Sequence, residues 1–300
     1  MKKPNFFIVG APKCGTTSLF FWLNQHPQVF MPDRKEVHFF NVDGMTRIDT
    51  LADYEALFAD ASEQHSAVGE GSTHYLYSRR AIAGVLEYNP AAKLVVCVRN
   101  PVQMAPSLHS ERVAQGMDAL TDFDQAWRDS ESRPHSLYKA AASKDDPDRL
   151  NYKAYCRLGE QVERLLSVAP RERVHFIVFD DLVNDPQGVF FALLDFLDLP
   201  RIDITYEAVN QNKRIKSVPL QVLLARLVSI KRRLKLPSFG VAKALTAANK
   251  TVASRDPVSE ATLADMRHYF QDDVALLSRL LGRDLNHWLD APAAQPRTTP

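Results

Sequence analysis

The stretch "FFIVGAPKCGTTSL", Phe6 to Leu19, decides the fold. Its first five residues are a short apolar run ending in glycine, the pattern of a strand. The remainder nearly matches the G-x-x-x-x-G-K-[ST] phosphate loop. The glycines fall on Gly10 and Gly15, but Thr16 stands where lysine belongs, and the lysine comes earlier, at Lys13. Residues 16–23 continue as a helix. Backbone N–H groups from Lys13 through Cys14, Gly15 and Thr16 to Thr17 would then face a concavity at a helix N-terminus, which favours an anion. Lys13, Thr16, Thr17 and Ser18 are within reach of the same concavity. Taken alone, the stretch describes equally well a glycine-rich turn that only joins strand to helix.

Working outward, "AVGEG" (67–71), "KLVVCVR" (93–99) and "VHFIVF" (174–179) are further short apolar runs, each succeeded by a turn and a helical pattern. Strands alternating with helices predict an α/β fold, a central parallel sheet flanked by helices in three layers. In such a sheet ligands bind where the carboxyl ends of the strands open. After the run at 93–99 comes "RNPVQMAPSLHSERVAQG", with Arg99 at the strand end and Ser107 two turns into the next helix. A guanidinium there suits a phosphate as a bidentate fork, and equally suits a neighbouring carboxylate.

The chain has 300 residues, 45% of them hydrophobic, enough for a sizeable core, and 37 basic residues against 36 acidic ones. A net charge of +1 argues against a general nucleic-acid binder, which needs a clear basic excess. Three scattered cysteines offer neither zinc spacing nor a disulfide framework, so a reducing, cytoplasmic setting is expected. The N-terminus does not read as a signal peptide, and no apolar run is long enough for a membrane span. One domain over 1–290 is expected, with variable elaborations at 130–150 and 216–258 and a flexible tail at 291–300. The helix-like segment 219–237 carries a basic cluster at Lys231, Arg232, Arg233 and Lys235, read as a packed helix with a solvated basic end, or a surface for an anionic acceptor or membrane.

The first loop, "KEVHFF" (35–40), "GEGSTHYLYS", "AKLVVCVRNPVQMAPSLHSE" and "VHFIVFDDLVNDP" together resemble the sulfotransferases that use 3′-phosphoadenosine 5′-phosphosulfate (PAPS), most of all the heparan sulfate branch and its bacterial relatives. The likeness runs from Phe6 to about Pro186, and residues 272–289 resemble the family's closing helix. It implies a P-loop-like fold and an O-sulfotransferase yielding 3′-phosphoadenosine 5′-phosphate (PAP), with no metal required. It places Lys13 and the loop on the 5′-phosphosulfate, Arg99 and Ser107 on the 3′-phosphate, and Glu36 as general base. His38 and Lys35 would support Glu36, with Lys35 also on the acceptor side. Residues 210–217, with Lys213 and Arg214, resemble the loop that completes the nucleotide site, and also read as a solvated basic turn. On the residues alone, Glu36 reads as a surface ion pair with Lys35 or Arg34.

The chain departs from the heparan pattern where a lysine that assists catalysis should come after "GE"; Gly71 stands there. Ser72, Thr73 and Tyr75 are then expected to line the acceptor cleft. The resemblance implies a sugar hydroxyl as the expected acceptor, with a natural-product alcohol as the alternative. The rival reading is a P-loop kinase or NTPase using ATP and Mg²⁺, with Asp180 or Asp181 after the last strand as metal ligand.

Overall fold

Five strands form one parallel sheet in the order β2-β3-β1-β4-β5. The computed structural model describes residues 2–43, 48–132, 147–207, 213–215, 250–252 and 256–290. In chain order the elements begin with β1 (Phe6–Gly10), α1 (Thr16–Leu23), β2 (Val29–Phe30), α2 (Leu51–Ala56), β3 (Ala67–Gly71), α3 (Ala81–Tyr88) and β4 (Lys93–Val98). They continue with α4 (Pro101–Ala114), α5 (Phe123–Arg128), α6 (Tyr152–Tyr155), α7 (Leu158–Leu166), β5 (Val174–Val178), α8 (Phe179–Asn184) and α9 (Pro186–Phe196). A short ribbon of β6 (Lys213–Ile215) and β7 (Lys250–Val252) precedes α10 (Glu260–Leu281) and α11 (His287–Asp290).

Every residue of β1 and β3 is buried, successive side chains included, so both faces of the sheet are covered. Phe6, Phe7, Ile8 and Val9 are wholly enclosed. β1 pairs with β3 on one side, Phe6 opposite Gly69, and with β4 on the other, Phe6 opposite Lys93. Local chemistry sets the helix starts. Pro186 opens α9 at a position where its missing N–H costs nothing, and Asp185 caps it by accepting from the Gly188 N–H at 2.9 Å.

The chain divides into two compact units. The first comprises Met1–Asn100, Leu158–Asn210 and Ala275–Leu285 and holds the whole five-stranded sheet. The second comprises Pro101–Arg157, Gln211–Val274 and Asn286–Pro300. Its core includes Trp127, whose Nε1 donates to Asp265 at 2.6 Å, and Tyr152, whose hydroxyl donates to Asp118 at 2.6 Å.

The four expected strands and the helix after the first loop are present, with β4 ending at Val98 and β5 at Val178, each one residue short of the run read as strand. The two-residue β2 is additional. The closing helix differs from its expected bounds of 272–289: α10 starts at Glu260 and ends at Leu281, and α11 is a separate turn beyond it. Residues 210–212 of the nucleotide-loop candidate, most of the polar insertion (133–146), the span 216–249 with its basic cluster, and the tail 291–300 lie outside the described residues.

Candidate active site

β1 lies between β3 and β4, so the segments leaving the carboxyl ends of these strands are neighbours. Backbone bonds tie them together: Ala11 N–H donates to the Cys97 carbonyl at 2.7 Å, Ser72 N–H to Ile8 at 3.1 Å and Leu76 N–H to Val9 at 2.8 Å. Between β1 and α1 the loop curls through left-handed backbone at Lys13 (φ 65°) and Gly15 (φ 85°). Position 15 must be glycine twice over, since a Cβ there would also sit 2.2 Å from Leu182 Cδ2. Gly15 caps α1 with no side-chain hydrogen bond, and the first turn carries no acidic residue. The helix therefore presents its N-terminal donors and dipole without an internal anion. Lys13, Thr17 and Ser18 are partly exposed beside it, while Thr16 is buried.

Arg99, leaving β4, donates from Nη1 to the Lys13 carbonyl at 3.0 Å, and its guanidinium lies 4.2 Å from the centre of the Phe179 ring. It thus braces the loop from beneath. Burial pulls its pKa down, against the charge of Asp180, which pulls it up. Cys14 is wholly enclosed, and burial pushes its thiol up to about 12 despite Arg99 and Lys13, so it contributes backbone rather than a nucleophile.

Glu36 is fixed on the β3 side. Its N–H donates to the Gly71 carbonyl at 2.8 Å, docking segment 35–40 against the end of β3. Its carboxylate accepts from Thr73 N–H at 3.0 Å, from Thr73 Oγ1 at 3.1 Å and from Lys35 Nζ at 2.5 Å, with His38 Nε2 at 3.3 Å. Burial raises its pKa, but Lys35, His38 and the bonds from Lys35 and Thr73 outweigh burial and bring it below the ordinary glutamate value. Glu36 and His38 both hold left-handed backbone, φ 62° and 56°. For non-glycine residues that conformation is costly, and it clusters where surrounding bonds impose it. The ion pair expected with Lys35 is present, but it is half-buried at a strand end, and Arg34 is exposed.

A second carboxylate, Glu70, carries no role in the sequence reading. It is wholly buried within β3, and burial raises its pKa to about 7. Ser72 Oγ donates to its Oε1, and Tyr75 and Tyr54 donate to its Oε2 at 3.0 and 3.3 Å. Ser72 and Tyr75, expected to line the acceptor cleft, are fully enclosed with their hydroxyls turned to Glu70, while Thr73 turns to Glu36. A charged residue inside an otherwise apolar parallel strand is the signal the sequence offers for Glu70.

Ser107 is a buried residue of α4 and belongs to the second unit. Lys213 and Arg214 do not form a turn; they are strand residues of β6, paired antiparallel with β7. The Asp181 carboxylate of the rival reading is engaged by both terminal nitrogens of Arg283, with Nη2 2.8 Å from Oδ1.

Comparison with known proteins gives these residues a context. The sulfotransferase domain model matches residues 3–222. The membrane-associated sulfotransferase kil1 of Dictyostelium discoideum is 22% identical over 269 residues, covering 67% of this chain and 57% of that protein. Heparan sulfate glucosamine 3-O-sulfotransferase 5 of Mus musculus is 26% identical over 203 residues, covering 66% of this chain and 54% of that protein. The chain thus spans little more than half the length of these curated relatives. The crystal structure of a sulfotransferase from Alicyclobacillus acidocaldarius superposes with a TM-score of 0.70 at 27% identity, covering 96% of this chain and 99% of that one.

Proposed function

The chain belongs to the sulfotransferase family, and from that premise we propose that it is a PAPS-dependent O-sulfotransferase whose general base is Glu36. The observation that carries this reading is the pairing of two devices on adjacent strands. The β1 loop is an uncapped helix N-terminus with one ammonium, Lys13, and the end of β3 holds a carboxylate of lowered pKa. The loop suits the donor: a curled backbone, hydroxyls at Thr17 and Ser18 and a single lysine match an anion of less charge than a triphosphate with its metal. When bound, PAPS supplies the sulfuryl group and leaves as PAP.

The chain's own residues divide the work between base and nucleotide. A carboxylate Oε of Glu36 takes the acceptor's hydroxyl proton, a role that typically contributes roughly 10²–10⁴-fold. Lys35, Thr73 and His38 keep that carboxylate ionised and aimed. Lys13 and the amides of Cys14, Gly15, Thr16 and Thr17 neutralise charge at the 5′ end of the nucleotide. Arg99 braces the loop and serves the 3′-phosphate; Ser107, Lys213 and Arg214 are nucleotide-site candidates on the strength of their motifs alone. Thr73 contacts Glu36 on the acceptor side, while Ser72 and Tyr75 act from beneath.

A sugar hydroxyl is the favoured acceptor, supported by the several heparan sulfate glucosamine 3-O-sulfotransferases among the relatives; a natural-product alcohol is the second choice. We read residues 1–290 as one sulfotransferase domain. The three cysteines are all buried and none forms a disulfide, which suits a reducing cytoplasm. Among the described residues no helix is long and apolar enough to cross a membrane. The test is transfer of labelled sulfate from PAPS to a panel of oligosaccharides and alcohols by wild type and Glu36→Gln. Transfer that requires Glu36 supports the reading; equal transfer by both removes the base.

A further inference from the structure

Segment 36–40 carries the proposed base, yet two of its residues hold backbone that side chains disfavour, so something must hold it there. Two of its N–H groups donate not to other backbone but to hydroxyls. His38 N–H donates to Ser72 Oγ at 2.9 Å, and Phe40 N–H donates to Tyr75 OH at 3.2 Å. Each of these hydroxyls donates its own proton to the same acceptor, the carboxylate of Glu70. A hydroxyl has one proton and two lone pairs. With that proton committed to Glu70, the oxygen is turned to receive the N–H. The direction of both relays is therefore fixed by an acceptor-only group at position 70.

We propose that Glu70 is a positioning residue that, through Ser72 and Tyr75, holds the backbone of segment 36–40 in its left-handed course and so aims Glu36. Its part in catalysis rests on the reading of Glu36 as base; the anchoring itself does not. Protonating Glu70, or replacing it with glutamine, turns one of its acceptor positions into a donor. One of the three hydroxyls that donate to it, Ser72, Tyr75 or Tyr54, must then reverse, and at Ser72 or Tyr75 the reversed proton competes with the backbone N–H it had accepted. Titration near pH 7 would therefore loosen the segment as pH falls. Among the described residues, the titratable and charged groups around Glu70 come from three segments. Tyr54 comes from α2 and is packed on Tyr88 of α3, with ring centres 5.7 Å apart. Tyr75 comes from the turn after β3. Glu36 acts from segment 35–40, its charge raising the Glu70 pKa, with Lys35 and His38 bound to Glu36. Burial raises the pKa values of Tyr54 and Tyr75 as well, so neither ionises near neutrality.

The experiment is amide hydrogen exchange at His38 and Phe40, monitored by NMR from about pH 5.5 to 8.5 and corrected for intrinsic rates. It is made on wild type and Glu70→Gln, with PAP binding measured calorimetrically on the same samples. In wild type, protection of at least one of the two amides should fall roughly tenfold, about one hydrogen bond, as pH drops through 7. In Glu70→Gln protection should be low and independent of pH. Wild-type protection that stays flat, or a Glu70→Gln profile identical to wild type, overturns the proposal. Should Glu70→Gln not fold, Ser72→Ala must deprotect His38 selectively and Tyr75→Phe must deprotect Phe40 selectively; the absence of that selectivity overturns it equally. Failure of wild type to bind PAP removes the sulfotransferase reading and leaves the exchange result to decide the anchoring alone.

Discussion

Lys35 Nζ and Glu36 Oε1 stand 2.5 Å apart, although their residues are adjacent in the chain. Consecutive side chains of an extended segment point to opposite sides. The left-handed backbone at Glu36 brings these two to the same side, where the ammonium offsets the burial of the carboxylate. The stem of Lys35 also passes close to Gly71, with Cε 3.8 Å from where a Cβ would stand. Lys35→Met should therefore raise the Glu36 pKa, because burial then acts with only His38 and Thr73 against it. Carboxyl-labelled NMR titration would read this directly. An unchanged Glu36 titration would show that Lys35 does not control it.

Glu36→Gln keeps the shape of the site and removes the proposed proton acceptor. Sulfate transfer should drop by roughly 10²–10⁴-fold, while PAP affinity, which we assign to the β1 loop and Arg99, should stay near the wild-type value. Single-turnover transfer and calorimetry on the same preparation separate the two effects. A large loss of PAP affinity would mean that Glu36 supports the nucleotide rather than the acceptor.

Arg99→Ala should weaken PAP binding roughly 10- to 100-fold, the loss of charge-assisted bonds to a phosphate. Binding of AMP should weaken less, through loss of the brace on the Lys13 carbonyl alone. Calorimetry with both nucleotides gives the comparison. Equal losses would restrict Arg99 to the bracing it performs beneath the loop.

Glu70 links pH to stability with a definite sign. Its folded pKa, about 7, lies above the ordinary glutamate value of 4.5, so between those two values the folded chain holds more protons than the unfolded one. Its contribution to stability is fully present below about pH 4.5 and is lost as pH rises through 7. Thermal melts at about pH 5 and pH 8 should differ more for wild type than for Glu70→Gln. The same ionisation that weakens the fold orders segment 36–40, a trade common at functional sites. Equal pH dependence in the two proteins would contradict the assignment.

Much of this architecture is legible in the sequence because it depends on local pattern. The apolar runs at Phe6 and Leu94 and the glycine entering α1 announce strand, turn and helix without tertiary help. β2 has two residues and no periodicity to detect, and β6 exists only through pairing with β7, far along the chain from it. At the site, Lys13, Glu36 and Arg99 are legible from motifs. The Glu70 network is not, because it joins Tyr54 on α2 to Tyr75 beyond β3 through a carboxylate whose partners no spacing rule connects. Ser72 and Tyr75 stand out in the motif after β3, but which way their hydroxyls point is decided by that buried charge.

The central claim is that this loop, with its lysine at position 13 and threonine at 16, serves a 3′-phosphorylated sulfuryl donor rather than ATP. Calorimetric binding of PAP against ADP and ATP, each with and without Mg²⁺, tests it most directly. Tight binding of PAP that is indifferent to Mg²⁺, with weak binding of ADP and ATP, is the expected result. Preference for ATP with Mg²⁺ would contradict it and return Asp180 and Asp181 to the reading of a kinase.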